Sequence, residues 1–105
     1  MPMKFMVSWT TRPGGSATEN EEAVRRGLQL FSKWSPKEGQ NFLAFVSRCD
    51  GNGGYALVET DDPVGLLDGP SKFGTLFEFQ VTPVVDITEG TPVATEAMEW
   101  RDSIS

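Results

Sequence analysis

The sequence predicts a domain of the α+β class built on an antiparallel sheet, and three features of the chain carry that prediction. Residues 3–10, MKFMVSWT, alternate with a period of two, which is typical of a half-buried strand. Residues 41–49 and 54–60 are two more strand-like stretches, joined by a short glycine-rich segment. Between the first strand and this pair, apolar residues recur at helical spacing.

The first helix is predicted by a stripe of apolar residues and by signals at its two ends. Thr18 and Glu21 have the spacing of a capping box, which predicts the start of the helix. Pro36 disfavours helical geometry at the residue before it and predicts the end. The stripe, which we expect to pack as core, contains Val24, Gly27, Leu28, Phe31 and Trp34.

The segment DGNGG, residues 50–54, could turn the chain, bind a phosphate or hold a calcium ion. A phosphate loop leads from a strand into a helix, whereas this segment leads into a strand. Asp50 and Asn52 have the first two ligand spacings of a calcium loop, but Gly54 stands at the next ligand position. We therefore predict a hairpin turn, in which glycines supply positive φ angles.

The second half of the chain predicts a short helix and a fourth strand. Asp61 or Asp62 caps the helix, and we expect Gly69-Pro70 to interrupt it soon afterwards. Residues 75–87 alternate as a strand, in which Pro83 indicates an edge position or a strand end.

A third helix is expected to begin at Thr91-Pro92, with Val93, Ala97, Trp100 and Ile104 on one face. The first six elements follow the order βαββαβ of a ferredoxin-like sandwich, with both helices on one face of the sheet. Residues 1–105 are predicted to form one such domain, with its core at about 3–88 and a helical tail at about 91–103.

The composition restricts the classes of partner. A formal net charge of −6 argues against nucleic acid and against an anionic membrane surface. No apolar run approaches the ~20 residues of a membrane span. The chain has no histidine and a single cysteine, Cys49, so we predict no metal and no cofactor, and a reducing, cytoplasmic location.

The sheet face turned away from the helices is the predicted site. Tyr55, Leu57 and Glu59 share this face if the middle strands point as expected, and a slip of one residue would invert them. Glu59 is the candidate catalytic base, because a carboxylate beside apolar residues can have a raised pKa. The candidate ligand-binding residues are Ser8, Arg48, Tyr55, Glu78 and Gln80. The same face could instead be a dimer interface, in which Arg48 pairs with Glu59.

Three stretches taken together resemble the DUF3303 family of small bacterial proteins: MKFMVSWT, FSKWSPKEGQNFLAFVSRCDGNGGYALVETDD and FEFQVTPVVDI. The resemblance covers roughly residues 3–88 and implies a dimeric α+β barrel, in which two ferredoxin-like subunits pair their sheets. It brings no established activity, although the wider group of such barrels includes cofactor-free monooxygenases and isomerases. The chain departs from the family at Gly69-Pro70 and in its extension from about Glu89.

Two functions remain open on this basis. The first is a homodimeric accessory protein that binds a small organic ligand and has no chemistry of its own. The second is a cofactor-independent monooxygenase or isomerase that acts on an aromatic or polyketide-like substrate, with Glu59 as the proton acceptor. The second rests on fold analogy alone.

Overall fold

The computed structural model describes residues 2–12 and 14–104, so Met1, Pro13 and Ser105 lie outside the described residues. The elements, in chain order, are β1 (Met3–Thr11), α1 (Ala17–Ser32), β2 (Asn41–Ser47), β3 (Gly53–Thr60), a 3-10 turn (Pro63–Leu67), α2 (Asp68–Phe73), β4 (Phe77–Val84) and α3 (Ile87–Asp102). Each predicted helix and strand is present, with shifted boundaries.

The four strands form one sheet in the order β2-β3-β1-β4, and every neighbouring pair is antiparallel. With the βαββαβ element order, this is the ferredoxin-like sandwich, so the predicted fold class is confirmed. Pro83 lies in β4, an edge strand of the sheet, where the missing N–H interrupts no ladder on the outer side.

Register divides the sheet into two faces of different character. Val7 stands opposite Ala56 of β3 and Val81 of β4, and this row faces α1. Met6 stands opposite Leu57 and belongs to the face that carries no helix, which we call the open face. The buried apolar core is small and lies entirely on the helix side: Phe5, Val7, Ala56, Val58 and Phe73.

A β-bulge in β2 changes which residues reach the helix side. Phe42 pairs with Val58, but the next pair along is Ala44 with Leu57, so Leu43 is the extra residue. Phe45 then pairs with Ala56, which places it on the same face as Phe42. The bulge therefore places two phenylalanines, three residues apart, on the helix side of the sheet.

The predicted start of α1 is wrong by two residues. Ser16 is the N-cap, and its Oγ accepts a hydrogen bond from the backbone N–H of Glu19 at 3.1 Å. The spacing of a capping box occurs twice in this segment, as Ser16 with Glu19 and as Thr18 with Glu21. The helix is capped by the first of these pairs, Ser16 with Glu19.

Two prolines that were expected to mark helix boundaries lie inside helices instead. Pro70 does not interrupt the second helix; it occupies the first turn of α2, where a missing N–H breaks no helical bond. The third helix begins at Ile87 after the N-cap residue Asp86, and it continues through Pro92. The expected start at Thr91-Pro92 is therefore wrong. The predicted cap Asp62 is correct, since its Oδ1 accepts from the N–H of Val64 at 3.2 Å.

The C-terminal helix projects from the rest of the molecule. The Cα radius of gyration is 18.3 Å, against about 13 Å for a compact domain of this length. All residues of α3 are described and none of them is buried, and Trp100 is 65% exposed. The helix begins next to the sheet, where Lys4 Nζ donates to Asp86 Oδ1 at 2.9 Å. Among the described residues, none forms a layer that covers its apolar side chains.

Candidate functional site

The glycine-rich segment is a hairpin turn, as predicted. The N–H of Arg48 donates to the carbonyl of Gly53 at 2.9 Å, and Gly51 adopts a φ of 75°. The carboxylate of Asp50 accepts from the backbone N–H of Asn52 and from the guanidinium of Arg48, and these two bonds lower the pKa of Asp50. The carboxylate of Asp50 is thus satisfied within the loop, which agrees with a turn rather than a binding loop.

A cleft with a volume of about 400 Å³ lies between α1 and the sheet. The floor is the helix side of the sheet, one wall is the apolar stripe of α1, and the other is the segment from the 3-10 turn into α2. Because only Gly27 of the described α1 residues is buried, the stripe lies over the cleft without closing it.

An aromatic network lines the cleft. Phe45 stands at its centre, with its ring centroid 5.5 Å from Trp9, 5.5 Å from Phe31 and 5.3 Å from Phe42. These spacings lie in the range of favourable edge-to-face and tilted ring pairs. The network contains Trp9, Phe31, Trp34, Phe42, Phe45, Phe73, Phe77 and Phe79. A ligand in the cleft would therefore meet several aromatic rings.

One carboxylate enters this apolar lining. Asp68 is the only acid among the described lining residues, and 7% of its side chain is exposed. The indole N–H of Trp34 donates to its Oδ2 at 2.9 Å, and Lys72 Nζ donates to its Oδ1 at 2.8 Å. Burial acts to raise the pKa of Asp68, but the two hydrogen bonds, together with the positive charges of Lys72 and Lys37, hold the pKa below its ordinary value. Asp68 is thus an anion at neutral pH.

Gln40 contributes the second acceptor. Its Nε2 donates to Thr60 Oγ1 and to the carbonyl of Asp62, both at 2.9 Å. The carbonyl can only accept, so the amide nitrogen must face it and the oxygen must point elsewhere. Among the described residues, that oxygen, Oε1, is buried and has no hydrogen-bond partner. A buried acceptor without a partner costs about 1–3 kcal/mol.

The lowered pKa of Asp68 predicts a loss of stability in acid. Its pKa in the folded chain lies below the ordinary 3.8, so its contribution is complete above about pH 5, where the unfolded carboxyl is also ionised. That contribution is lost as the pH falls through the folded pKa, because the unfolded chain binds the proton first. We expect Asp68→Asn to flatten the dependence of the free energy of unfolding on pH below pH 4, measured by urea denaturation. Ser71→Ala, at an exposed position of the same helix, is the control; it removes no titratable group and should leave the slope unchanged.

The open face carries a second, smaller hollow of about 320 Å³, lined by Ser8, Thr10, Glu78, Phe79 and Gln80. Ser8 stands opposite Tyr55 on one side and opposite Gln80 on the other. Four of the five predicted ligand-binding residues therefore lie near one another. Their role as a binding site remains a prediction.

Arg48 and Glu59 are not brought together within the chain, so a pair between them across a dimer interface remains a prediction. Arg48 lies in the hairpin loop and binds Asp50, whereas Glu59 is at the far end of β3, opposite Lys4 and Asn41. Six residues of β3 separate Glu59 from the loop, about 20 Å at strand spacing. The pKa of Lys4 is raised, chiefly by its hydrogen bond to Asp86, and Glu59 adds a smaller electrostatic contribution.

The sequence did not identify the cleft or its polar groups. The stripe of α1 was expected to pack as core, and Asp68 and Gln40 were not singled out. One signal was present: Lys72 follows Asp68 by four residues, the spacing of a helical ion pair. The contact with Trp34, which is distant in the chain, has no local signal.

Two further types of site have no counterpart among the described residues. No group of three or more acidic or cysteine side chains is arranged to hold a metal ion there. In the same part of the chain, no helix combines the length and the apolar character needed to cross a bilayer.

Two solved structures resemble this chain at low sequence identity. One is a mutant form of SnoaB, described as a cofactor-independent oxygenase from Streptomyces nogalater: the identity is 14%, 82% of this chain and 93% of that chain are covered, and the TM-score is 0.45. The other is Rv0793 from Mycobacterium tuberculosis, with 13% identity, coverage of 82% and 97%, and a TM-score of 0.45.

No protein with a curated description matches the sequence significantly. The family comparison matches residues 3–98, nearly the whole chain, to the family described as Domain of unknown function (DUF3303). This match includes the first strand, the hairpin and the fourth strand, the same stretches that carry the resemblance in the sequence. The chain belongs to the DUF3303 family.

Proposed function

We propose that the protein is a homodimeric small-molecule-binding protein whose ligand occupies the cleft between α1 and the sheet. The observation that carries this proposal is the cleft itself, about 400 Å³ in volume and lined by aromatic side chains that the chain does not cover. Binding sites for small organic molecules are typically apolar clefts of about 300–1,000 Å³ with a few polar groups.

The packing of α1 supports a ligand rather than an imperfect core. Leu28 and Phe31 face the cleft, yet 66% and 44% of their surfaces are exposed. Exposed apolar surface of this kind favours binding of an apolar molecule, because each Å² removed from water contributes about 25 cal/mol of favourable free energy. A flat ligand between α1 and the sheet would cover these side chains and the rings below them.

The open face supports the homodimer. Met6, Val46 and Tyr55 are exposed large apolar or aromatic residues on this face, and Leu57 lies among them. A second copy of the chain would cover the patch with an identical patch, as two-fold symmetry requires. The uncovered apolar residues of α3 fit the same arrangement, since the helix projects away from its own subunit.

The enzymatic alternative needs a base that reaches a substrate. Glu59 is on the open face, so a role for it depends on a cavity that the second subunit would close. Asp68 is in the cleft, but its lowered pKa makes it a weak proton acceptor near neutral pH. Binding without chemistry is therefore the function that the geometry favours.

The proposal can be tested with N-phenyl-1-naphthylamine, a neutral aromatic dye that becomes fluorescent in apolar sites. We expect one dye molecule to bind per chain and to quench Trp9 and Trp34, which line the cleft. Phe45→Ala removes the ring at the centre of the network, and we expect it to weaken dye binding about tenfold, because about 1.4 kcal/mol of ring contact is lost.

Tyr55→Ala is the matched control, because Tyr55 and Phe45 are equally exposed, at 44%, on opposite faces of the sheet. The control should bind the dye as the unmodified protein does. Dye binding that is lost in Tyr55→Ala and kept in Phe45→Ala would place the ligand on the open face and contradict the proposal. Circular dichroism of both variants establishes that each is folded.

A further inference from the structure

The cleft between α1 and the sheet is longer than it is wide. Gly53 and Val58 both line it, and they lie five residues apart on β3. At strand spacing this floor is about 17 Å long, so a volume of about 400 Å³ corresponds to a mean width of about 5 Å. The opposite wall follows the same length, because α1 lines the cleft from Val24 to Phe31 and Trp34 continues the lining beyond the end of the helix. A ligand that fills the cleft is therefore elongated.

Polar side chains of the described lining lie toward the two ends of the cleft. Thr11 and Ser47 stand at the hairpin end, whereas Lys37, Gln40 and Asp68 stand at the end beside α2. Asp68 already accepts hydrogen bonds from two side chains of the protein, so it does not require a charged ligand. The stretch between the ends is lined by Val7, Trp9, Leu28, Phe31, Phe45 and Ala56. The body of the ligand must therefore be hydrocarbon.

The aromatic rings of the cleft do not share one plane. The rings of Trp9 and Phe45 are inclined at 61° to each other, and those of Phe42 and Phe45 at 75°. Phe31, on the α1 side, is inclined at 44° to Phe45. A rigid polycyclic plane as long as the cleft could stack on only one of these rings, because stacking requires nearly parallel planes. An extended hydrocarbon chain is thin and can bend at each carbon, so it can contact every ring in turn.

We propose that the ligand of the cleft is a long-chain aliphatic molecule, which lies along β3 with its polar group at one end of the cleft. This inference rests on the proposed function, because it concerns the same cleft, and it adds the shape and the chemical class of the ligand. An extended chain advances by about 1.2 Å for each bond, as an extended peptide does, so the floor accommodates about 12 to 14 carbon atoms.

A series of neutral 1-alkanols, from hexanol to hexadecanol, tests the length of the site by displacement of N-phenyl-1-naphthylamine, each alkanol being used below its solubility limit. We expect the affinity to rise about fourfold for each added methylene, because each one removes apolar surface from water, and to level off at about 12 to 14 carbons. A plateau at about eight carbons or fewer, a rise without a plateau, or no displacement of bound dye would overturn the inference and leave the proposed function standing. If neither the dye nor any alkanol binds, the proposed function itself is overturned.

Ser47→Trp and Val46→Trp are a matched pair that places the same side chain on opposite faces of β2. Ser47 lines the hairpin end of the cleft, whereas Val46 stands on the open face and pairs with Tyr55. We expect Ser47→Trp to shorten the plateau by about four carbons and to leave the affinity for octanol within about twofold, because the indole fills only that end. Val46→Trp should leave the plateau unchanged, and circular dichroism establishes that both variants are folded. A plateau that Ser47→Trp does not move, or a loss of affinity that is equal at every chain length, would overturn the proposed position of the chain.

Discussion

Replacing Gly54 with alanine is expected to destabilise the fold by about 3 kcal/mol and to lower the melting temperature by roughly 15 °C. Gly54 is buried in β3, where the backbone passes under the indole of Trp9. A Cβ at this position would lie 2.5 Å from Cζ2 of Trp9, and it would also meet the carbonyl oxygen of Val46 on the neighbouring strand. The indole can rotate, but the strand carbonyl is fixed by the sheet.

Gly69→Ala is the control for this prediction. Gly69 lies in α2, and no atom stands within 4 Å of the position of an added Cβ. Its free energy of unfolding, measured by urea denaturation, should stay within about 0.5 kcal/mol of the unmodified protein. A Gly54→Ala protein as stable as this control would show that β2 and β3 are not held at the described separation.

Regular periodicity explains why the sheet could be predicted from sequence. The alternation of β1 places Met6 and Ser8 on one face and Phe5 and Val7 on the other, and the register confirms both assignments. Glu78 and Gln80 follow the same rule in β4. In a strand with a period of two, either of two sets of side chains can face the helices. One arrangement is excluded because it would put charged residues against the helices.

The cleft could not be predicted because it depends on structural features that leave no local pattern in the sequence. Strict alternation in β2 would put Phe42 and Phe45 on opposite faces, and the bulge at Leu43 puts them on the same one. Helical spacing identified Phe31 as a residue that faces the sheet, but spacing does not say how closely the helix approaches it. The shape of the site is set by that distance and by the bulge, which are properties of the packed chain.

The proposed homodimer leads to the second large prediction. We expect Leu57→Glu to raise the dissociation constant of the dimer at least about hundredfold, because a central interface side chain is lost and an unpaired charge is buried. Leu57 stands between Met6 of β1 and Ala44 of β2, in the middle of the open face and away from the helix-side core. The variant should therefore remain folded. Sedimentation equilibrium over a range of protein concentrations measures the change.

Val64→Glu is the matched control, because Val64 is 72% exposed in the 3-10 turn, away from the open face. If apolar exposure alone drove association, this more exposed valine would contribute more to the dimer than Leu57. Val64→Glu would then raise the dissociation constant more than Leu57→Glu does. If the open face is the interface, only Leu57→Glu dissociates, and both variants keep the dye-binding cleft, since each cleft is built within one chain. If the unmodified protein sediments as a monomer at high micromolar concentration, the proposed homodimer is contradicted. The proposal for the ligand cleft would not be affected, because the cleft residues lie on the other side of the sheet.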